Sequence, residues 1–417
     1  MTDASTADSG RPARSTPASG REVRLDAARA ADDTAPRTGV LFVNLGTPDS
    51  PSVPDVRRYL RQFLSDPRVV DLPRVLWYPI LYGIILPVRG PKSAHAYAQV
   101  WTSEGSPLYA ISKRQAARLA HELGPRFDVE LAMRYGNPSI EAGLKALVER
   151  GARRVLVLTA FPQYSDSTVG SVVAEVERVA KRMRAAPRIE TVEPWYADEG
   201  YVNALARTCR EFAARAPMRA PMGAPKDAPM DAPMDAPMDA PTGAPTGAPM
   251  STPTNATPDA ATGSQARART DAQPDSPPTP IRHWVFSFHG LPKRYVDRGD
   301  PYRTHCEATA TRLARAMQLE DGAWTTTFQS RFGPEPWLEP YTDKVVPDLV
   351  ARHGRVAIAM PGFTADCLET IEEIGIRLVA DCAGKGELVV VPCLNDDAEL
   401  GVALARLVRV AAARQAT

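Results

Sequence analysis

The chain has 417 residues, enough for two domains of ordinary size. Its formal net charge of +1 excludes the strong basic excess that nucleic-acid binding draws on. Its five cysteines are odd in number, scattered and without a CxxC pair, which excludes a disulfide framework or zinc ribbon and fits a reducing compartment.

Residues 1–38 are rich in Ala, Ser, Thr, Arg and Asp and poor in large apolar residues, the composition of a disordered tail. The first strand is predicted over 39–46, "GVLFVNLG". The most apolar window follows at 75–88, "VLWYPILYGIILPV"; it is too short to span a bilayer, and Pro79 and Gly83 interrupt it. Two readings fit it: a buried helix or loop, or a peripheral contact with the inner membrane. The N-terminus carries no apolar secretory core, so the expected location is the cytoplasm, with or without that contact.

Strands over 129–136 and 153–161 alternate with helices over 138–150 and 168–185, and 39–216 is expected to form one lobe. Residues 217–280 contain no Leu, Ile, Val, Phe, Tyr or Trp and repeat "APMD" and "APTG" with period four. Such a segment cannot bury enough apolar surface to offset its ordering entropy, and proline at every period excludes a helix. It reads as a disordered insertion in a surface loop, where added length costs little. Beyond it, strands over 281–290, 355–363 and 387–392 alternate with helices over 301–318, 366–382 and 396–413, giving a second lobe over 281–417 whose last helix is free to pack back on the first. Continuous apolar strands alternating with helices predict an α/β fold of two doubly wound, Rossmann-like lobes with parallel sheets and a cleft between them.

The lobes look duplicated. "FVNLGTP", "MRYGNP" and "RRVLVLTAFPQYS" in the first run in the same order as "FSFHGLP", "QSRFGPEP" and "GRVAIAMPGFTAD" in the second. Aligning Gly46 with Gly290 sets Leu45 opposite His289, and the next motif sets Arg134 opposite Arg331. Ligands of such sheets bind beyond the carboxyl ends of the strands, where Leu45, Arg134, Phe161, His289, Arg331 and Phe363 fall.

His289 ends a strand before Gly290, and fits either a general base near neutral pH or a satisfied strand-end histidine. In "FTADCLETIEEIG", Asp366, Glu369 and Glu373 stand at i, i+3 and i+7, one face of an α-helix that Thr364 or Asp366 would cap. That pattern fits a solvated helix start as well as an acidic ladder for protons or a hard cation. Tyr135, Phe161, Trp337 and Phe363 follow strands and fit either core or the wall of a flat apolar ligand. No GxxxxGK[ST], no GxGxxG after the first strand, no HExxH and no Ser-His-Asp signature occurs.

Taken together, "NLGTP" (44–48), "PVRGPKSAHAY" (87–97), "GSPL" (105–108), "MRYGNP" (133–138), "FPQYSDSTVGS" (161–171), "SFHGLP" (287–292), "RGDPY" (298–302), "QSRFGPEPWLEP" (329–340), "GFTADCLETIEEI" (362–374) and "PCLND" (392–396) resemble the ferrochelatases, in order and across both lobes. The resemblance implies a lyase that inserts ferrous iron into protoporphyrin IX in haem synthesis. It implies His289 and Glu369 as the catalytic and metal-contacting pair, with Asp366 and Glu373 as a proton or iron relay. Leu45, Arg89, Lys92, Ser106, Arg134, Tyr135, Phe161, Trp337 and Phe363 fall on porphyrin-binding positions, with Arg89, Lys92 and Ser106 for the propionates. Iron is then a substrate and no cofactor is retained. Some members hold an iron–sulfur cluster on C-terminal cysteines, but this sequence ends "VAAARQAT" and has Asp166 at the fourth ligand position, so no cluster is expected. Arg377 replaces an acid further along the family's ladder. Leucine at position 45, where members using coproporphyrin often carry tyrosine, favours protoporphyrin. The rivals are a coproporphyrin ferrochelatase, a cobalt chelatase, and a non-catalytic haem or metal carrier on the same fold.

Overall fold

A computed structural model describes residues 37–214 and 279–414. In chain order they form β1 (Thr38–Thr47), α1 (Val53–Leu64), α2 (Arg74–Ile80), which runs through a π-helical turn (Leu81–Ile85) into α3 (Leu86–Val100), then α4 (Pro107–Leu123), β2 (Phe127–Gly136), α5 (Ile140–Glu149) and β3 (Arg154–Thr159). A π-helical turn (Asp166–Gly170), α6 (Ser171–Ala180), β4 (Arg188–Thr191) and α7 (Glu199–Ala213) follow. Then come β5 (His283–His289), α8 (Lys293–Asp297), α9 (Tyr302–Ala316), β6 (Trp324–Gln329), α10 (Thr342–His353), β7 (Arg355–Ala359), a π-helix (Glu369–Leu378), β8 (Glu387–Val390) and α11 (Ala398–Ala413). The expected tail and most of the proline repeat lie outside the described residues.

The strands form two all-parallel sheets of matching topology, β2-β1-β3-β4 and β6-β5-β7-β8. The central strands carry the continuous apolar runs: Val40–Val43 and Val155–Leu158 are fully or almost fully buried, as are Val285, Phe286, Val356 and Ile358. Helices cover the sheets, with Leu144, Leu147, Val172 and Val176 closing the first core and Val346, Val350, Ile374 and Leu378 the second. Side-chain caps start several helices: Ser139 accepts from the Ala142 N–H at 3.2 Å and Asp198 from the Tyr201 N–H at 3.0 Å. Sequence periodicity does not find β4 ("RIET") or β6 ("WTTTFQ"). Both are edge strands and only partly buried, so neither needs an unbroken apolar run.

The chain divides into two compact units, but not where composition suggests. The first comprises residues 1–195 and 395–417, the second 196–394. The expected boundary at 216 is therefore corrected to 195: α7, written before the repeat, packs on α9 of the second unit. In turn α11 packs on α4 and β3 of the first.

The register tests the proposed duplication. The Met133 N–H donates to the Pro138 carbonyl (2.7 Å), and the Phe328 N–H to the Pro340 carbonyl (2.8 Å), so Met133 and Phe328 are counterparts. Asn44 pairs with Met133 and Phe288 with Phe328, which makes Leu45 the counterpart of His289. Arg134 then corresponds to Gln329 and Tyr135 to Ser330. The pairing of Arg134 with Arg331 is incorrect, because the second unit has a longer loop between Phe328 and Pro340 that shifts its arginine out of register. Arg331 instead donates to Asp343 at 2.9 Å. At the opposite strand ends the repeat is closer: Arg154 grips Glu190 of the neighbouring strand (2.7 and 3.0 Å), and Arg355 grips Glu387 (2.8 Å).

Candidate active site

In the second unit, β5 delivers His289 half-buried at its carboxyl end, beside Gln329 of β6. The His289 Nδ1 lies 2.7 Å from the Gly290 carbonyl oxygen. A carbonyl only accepts, so Nδ1 carries the hydrogen, and in the tautomer this selects the lone pair lies on Nε2. The Tyr302 hydroxyl donates to the His289 carbonyl at 2.9 Å, fixing the backbone from α9. The Phe363 ring sits 6.4 Å from the imidazole, centroid to centroid. Glycine at 290 is required by close approach: a Cβ there would stand 2.8 Å from the Gln329 carbonyl and 3.0 Å from the Trp337 ring. Trp337 is buried and its indole N–H donates to the Phe332 carbonyl at 2.8 Å, so little of its surface remains for a ligand.

The acidic ladder differs from the expected α-helical face. Asp366 precedes the helix, and its carboxylate accepts from the Thr370 hydroxyl (3.0 Å) and the Cys393 N–H (3.3 Å). No side chain caps the helix start. Glu369 and Glu373 lie on a π-helix, whose i→i+5 bonding widens each turn, and segments of this kind recur at functional sites. Both Glu373 oxygens are held by Ser330, from its N–H (2.8 Å) and from its hydroxyl. Burial pushes the Glu373 carboxyl up, and the Ser330 hydrogen bonds, the His289 imidazole and Arg377 only partly pull it back. The Gln329 side-chain N–H donates to the Glu369 carbonyl at 3.3 Å. His289, Phe363 and Glu373 thus lie together, and Gln329 ties the Glu369 backbone to the same strand end.

In the first unit, Leu45 is half-buried beside Arg134, between the register pairs Asn44–Met133 and Gly46–Tyr135. The Arg134 guanidinium is committed to a buried network: its Nε donates to the Ser171 hydroxyl (2.7 Å) and carbonyl (3.0 Å), and Nη2 to Asp66 (2.5 Å). The Tyr135 hydroxyl donates to Asp66 at 2.8 Å, and so does the Ser171 hydroxyl at 2.6 Å. Burial alone would raise the Asp66 carboxyl, but Ser171, the Arg68 N–H, Arg134 and Tyr135 together hold it below the usual aspartate range. Burial pushes the Tyr135 phenol up. Tyr135 is 0 % exposed, which corrects its expected place as a ring-lining residue. Ser106 is also buried, its hydroxyl accepting from Thr47 at 2.8 Å, so its expected contact with a propionate is not supported. Phe161 packs on the first core with part of its ring exposed. Arg89 and Lys92 lie on α3, half-buried and exposed respectively.

Sequence reasoning missed Asp66, Ser171, Gln329 and Ser330. The Asp-Pro after α1 was a turn signal at Asp66, but its partners are remote in sequence. Ser330 adopts φ 63°, a left-handed conformation that a serine does not advertise.

The ferrochelatase family model matches residues 37–226 and 261–412, leaving 227–260 of the repeat between its two segments. A ferrochelatase of Thioalkalivibrio sulfidiphilus is 43% identical over 377 residues, covering 89% of this chain and 85% of that protein. Ferrochelatase 1 of Shewanella oneidensis is 41% identical over 390 residues, covering 89% and 95%. A ferrochelatase of Chromobacterium violaceum is 38% identical over 384 residues, covering 90% and 88%. With the family model spanning both units and relatives matched over nearly their whole length, this chain belongs to the ferrochelatase family of lyases.

Proposed function

We propose that this enzyme inserts ferrous iron into protoporphyrin IX and releases two protons. The observation that carries the reading is His289: its Nδ1–H is engaged by Gly290, its Nε2 is left basic, and two acids stand on the adjoining π-helix. A free porphyrin holds two inner N–H groups, and both protons must leave as the metal enters. Nε2 is suited to take a proton from a pyrrole nitrogen, and a neutral imidazole takes one at a time. Glu369 and Glu373 on the π-helix would receive it in turn, and burial makes the Glu373 carboxyl a readier proton acceptor than an ordinary glutamate. Asp366, tied to Thr370 and Cys393, stands beside this path as a further relay residue. Within the second unit Phe363 offers apolar surface beside His289; Leu45, Phe161, Arg89 and Lys92 of the first unit are further porphyrin-binding candidates, whereas Arg134 is already neutralised by Asp66.

Leu45 supports protoporphyrin over coproporphyrin, because an apolar side chain suits a vinyl group and offers nothing to an additional propionate. Iron is a substrate, and no retained cofactor or iron–sulfur cluster is part of this reading. Side-by-side kinetics with the two porphyrins and Fe2+ test it: kcat/KM higher for protoporphyrin is expected. A preference for coproporphyrin, or for Co2+ over Fe2+, overturns the substrate assignment. Binding without product beyond one equivalent overturns catalysis in favour of a carrier.

A peripheral membrane contact belongs to the same proposal. Among the described residues no helix is long and apolar enough to cross a membrane. Leu72, Val75, Leu76, Ile80, Tyr82, Ile84 and Val88 are exposed on one segment, Val75 at 85%. They lie over a small core of Leu64, Trp77, Leu81 and Leu86 that anchors the segment from beneath. Arg74, Arg89 and Lys92 flank them, which suits anionic lipid. Cosedimentation with phosphatidylglycerol vesicles is expected for the wild type and lost in Val75→Ser/Leu76→Ser; equal sedimentation of both overturns the contact.

A further inference from the structure

We propose that Gln329 and Ser330, the last residue of β6 and its neighbour, form a positioning clamp that sets the Glu369 and Glu373 acids against His289. The inference rests on the ferrochelatase reading above and adds two residues to it.

Gln329 is buried and pairs in register with His289, so its backbone places it one strand away from the proton acceptor. Its amide orientation is not left to chance. The Ser287 hydroxyl donates to its Oε1 at 2.8 Å, and Ser287 is in turn 2.8 Å from the Thr342 hydroxyl, which reaches Thr327 at 2.9 Å. With Oε1 accepting, the amide N–H group must face the other way, and it meets the Glu369 carbonyl. Ser330 follows at once with a left-handed φ of 63°, a conformation uncommon for a residue with a Cβ. That conformation aims its N–H and its hydroxyl at the two oxygens of one carboxylate, Glu373. The π-helix is therefore held at a backbone carbonyl and, four residues on, at a side chain, both from adjacent positions of one strand end.

The first unit supports the assignment by contrast. Arg134 is the register counterpart of Gln329 and makes the same strand-to-helix tie, to the Ser171 carbonyl at 3.0 Å. The counterpart of Ser330 is Tyr135, whose hydroxyl turns inward to Asp66. The tie thus recurs in the duplicated frame, and the grip on a carboxylate of the following helix belongs to the unit that carries His289.

The test uses the full-length enzyme. Ser330→Gly removes the hydroxyl while keeping the N–H and easing the left-handed backbone, so folding is retained. A fall in kcat of about tenfold is expected from losing one hydrogen bond to a charged group, with porphyrin KM and thermal midpoint unchanged. Glu373→Asp keeps an acid but withdraws it from Ser330. In that background Ser330→Gly is expected to add less than about twofold, because coupled residues are not additive. Unchanged kcat in Ser330→Gly, or the same tenfold loss in both backgrounds, overturns the clamp. Should the wild-type enzyme turn over no porphyrin, the ferrochelatase reading falls instead. The clamp is then judged by Co2+ titrated into wild type and Ser330→Gly: a changed visible absorption spectrum supports it, and identical spectra overturn it.

Discussion

The carboxyl ends of the two sheets are built to one plan and spent differently. In the first unit the end of β2 carries Arg134 and Tyr135, and both are absorbed by Asp66 and Ser171 in a network buried from solvent. In the second the corresponding residues are Gln329 and Ser330, which hold acids on the helix ahead of them rather than a buried counter-charge. The first end neutralises its charge internally; the second sets a half-buried imidazole near the carboxyl of Glu373. Duplication supplied a strand-to-helix tie twice, and the residues on that tie differ: a neutralised arginine in the first unit, a neutral amide in the second.

The contrast can be broken most severely at His289. His289→Ala is expected to lower turnover by at least about 10²-fold, the usual contribution of a general base, while the thermal midpoint stays put. Replacing Leu45, its counterpart, by alanine should leave that proton step intact and act on porphyrin KM; pH–rate profiles of the two variants check this. Asp66→Asn comes next, as a loss of stability rather than of chemistry. It leaves the buried Arg134 charge without its partner and should cost about 3 kcal/mol in urea unfolding. Tyr135→Phe should cost about 1 kcal/mol through its lost hydroxyl bonds and leave porphyrin KM within twofold of wild type; a large KM change would return Tyr135 to the ligand wall.

The smallest effect is the sharpest comparison, because the two acids have opposite pH signs. The folded-state pKa of Asp66 lies below its ordinary 3.8, so its stabilisation is present above that value and lost as pH falls through the lowered one. That of Glu373 is raised above 4.5, so its contribution is present below 4.5 and lost as pH rises through the raised value. Urea midpoints measured against pH should therefore flatten on the acid side in Asp66→Asn and above pH 4.5 in Glu373→Gln.

The central strands were readable because burial on both faces demands continuous apolar runs, and β5 leads that run straight to His289. The edge strand β6 was not, and with it went Gln329 and Ser330: three threonines in a row are a β signal, but a left-handed serine leaves no trace in composition. For Tyr135 the residues alone leave core and ligand wall both open, and the ring-lining place comes from the family resemblance. What decides for burial is Asp66, a partner remote in sequence: it draws in the Tyr135 hydroxyl (2.8 Å) as well as the Arg134 guanidinium, and the ring is fully buried. The acidic ladder was legible as residue types but not as geometry, since nothing in "CLETIEEIG" distinguishes π-helical from α-helical spacing.

The crossing of the last helices has a practical consequence for fragmenting the enzyme. A cut inside 227–260 separates the polypeptide between the two segments that the family model matches, yet it does not separate the folded units. The N-terminal fragment would carry α7, which belongs to the second unit, and the C-terminal fragment would carry α11, which belongs to the first. Each piece would hold a helix the other needs and lack one of its own. Coexpressed halves should therefore restore activity by reciprocal complementation, and neither should fold when produced alone.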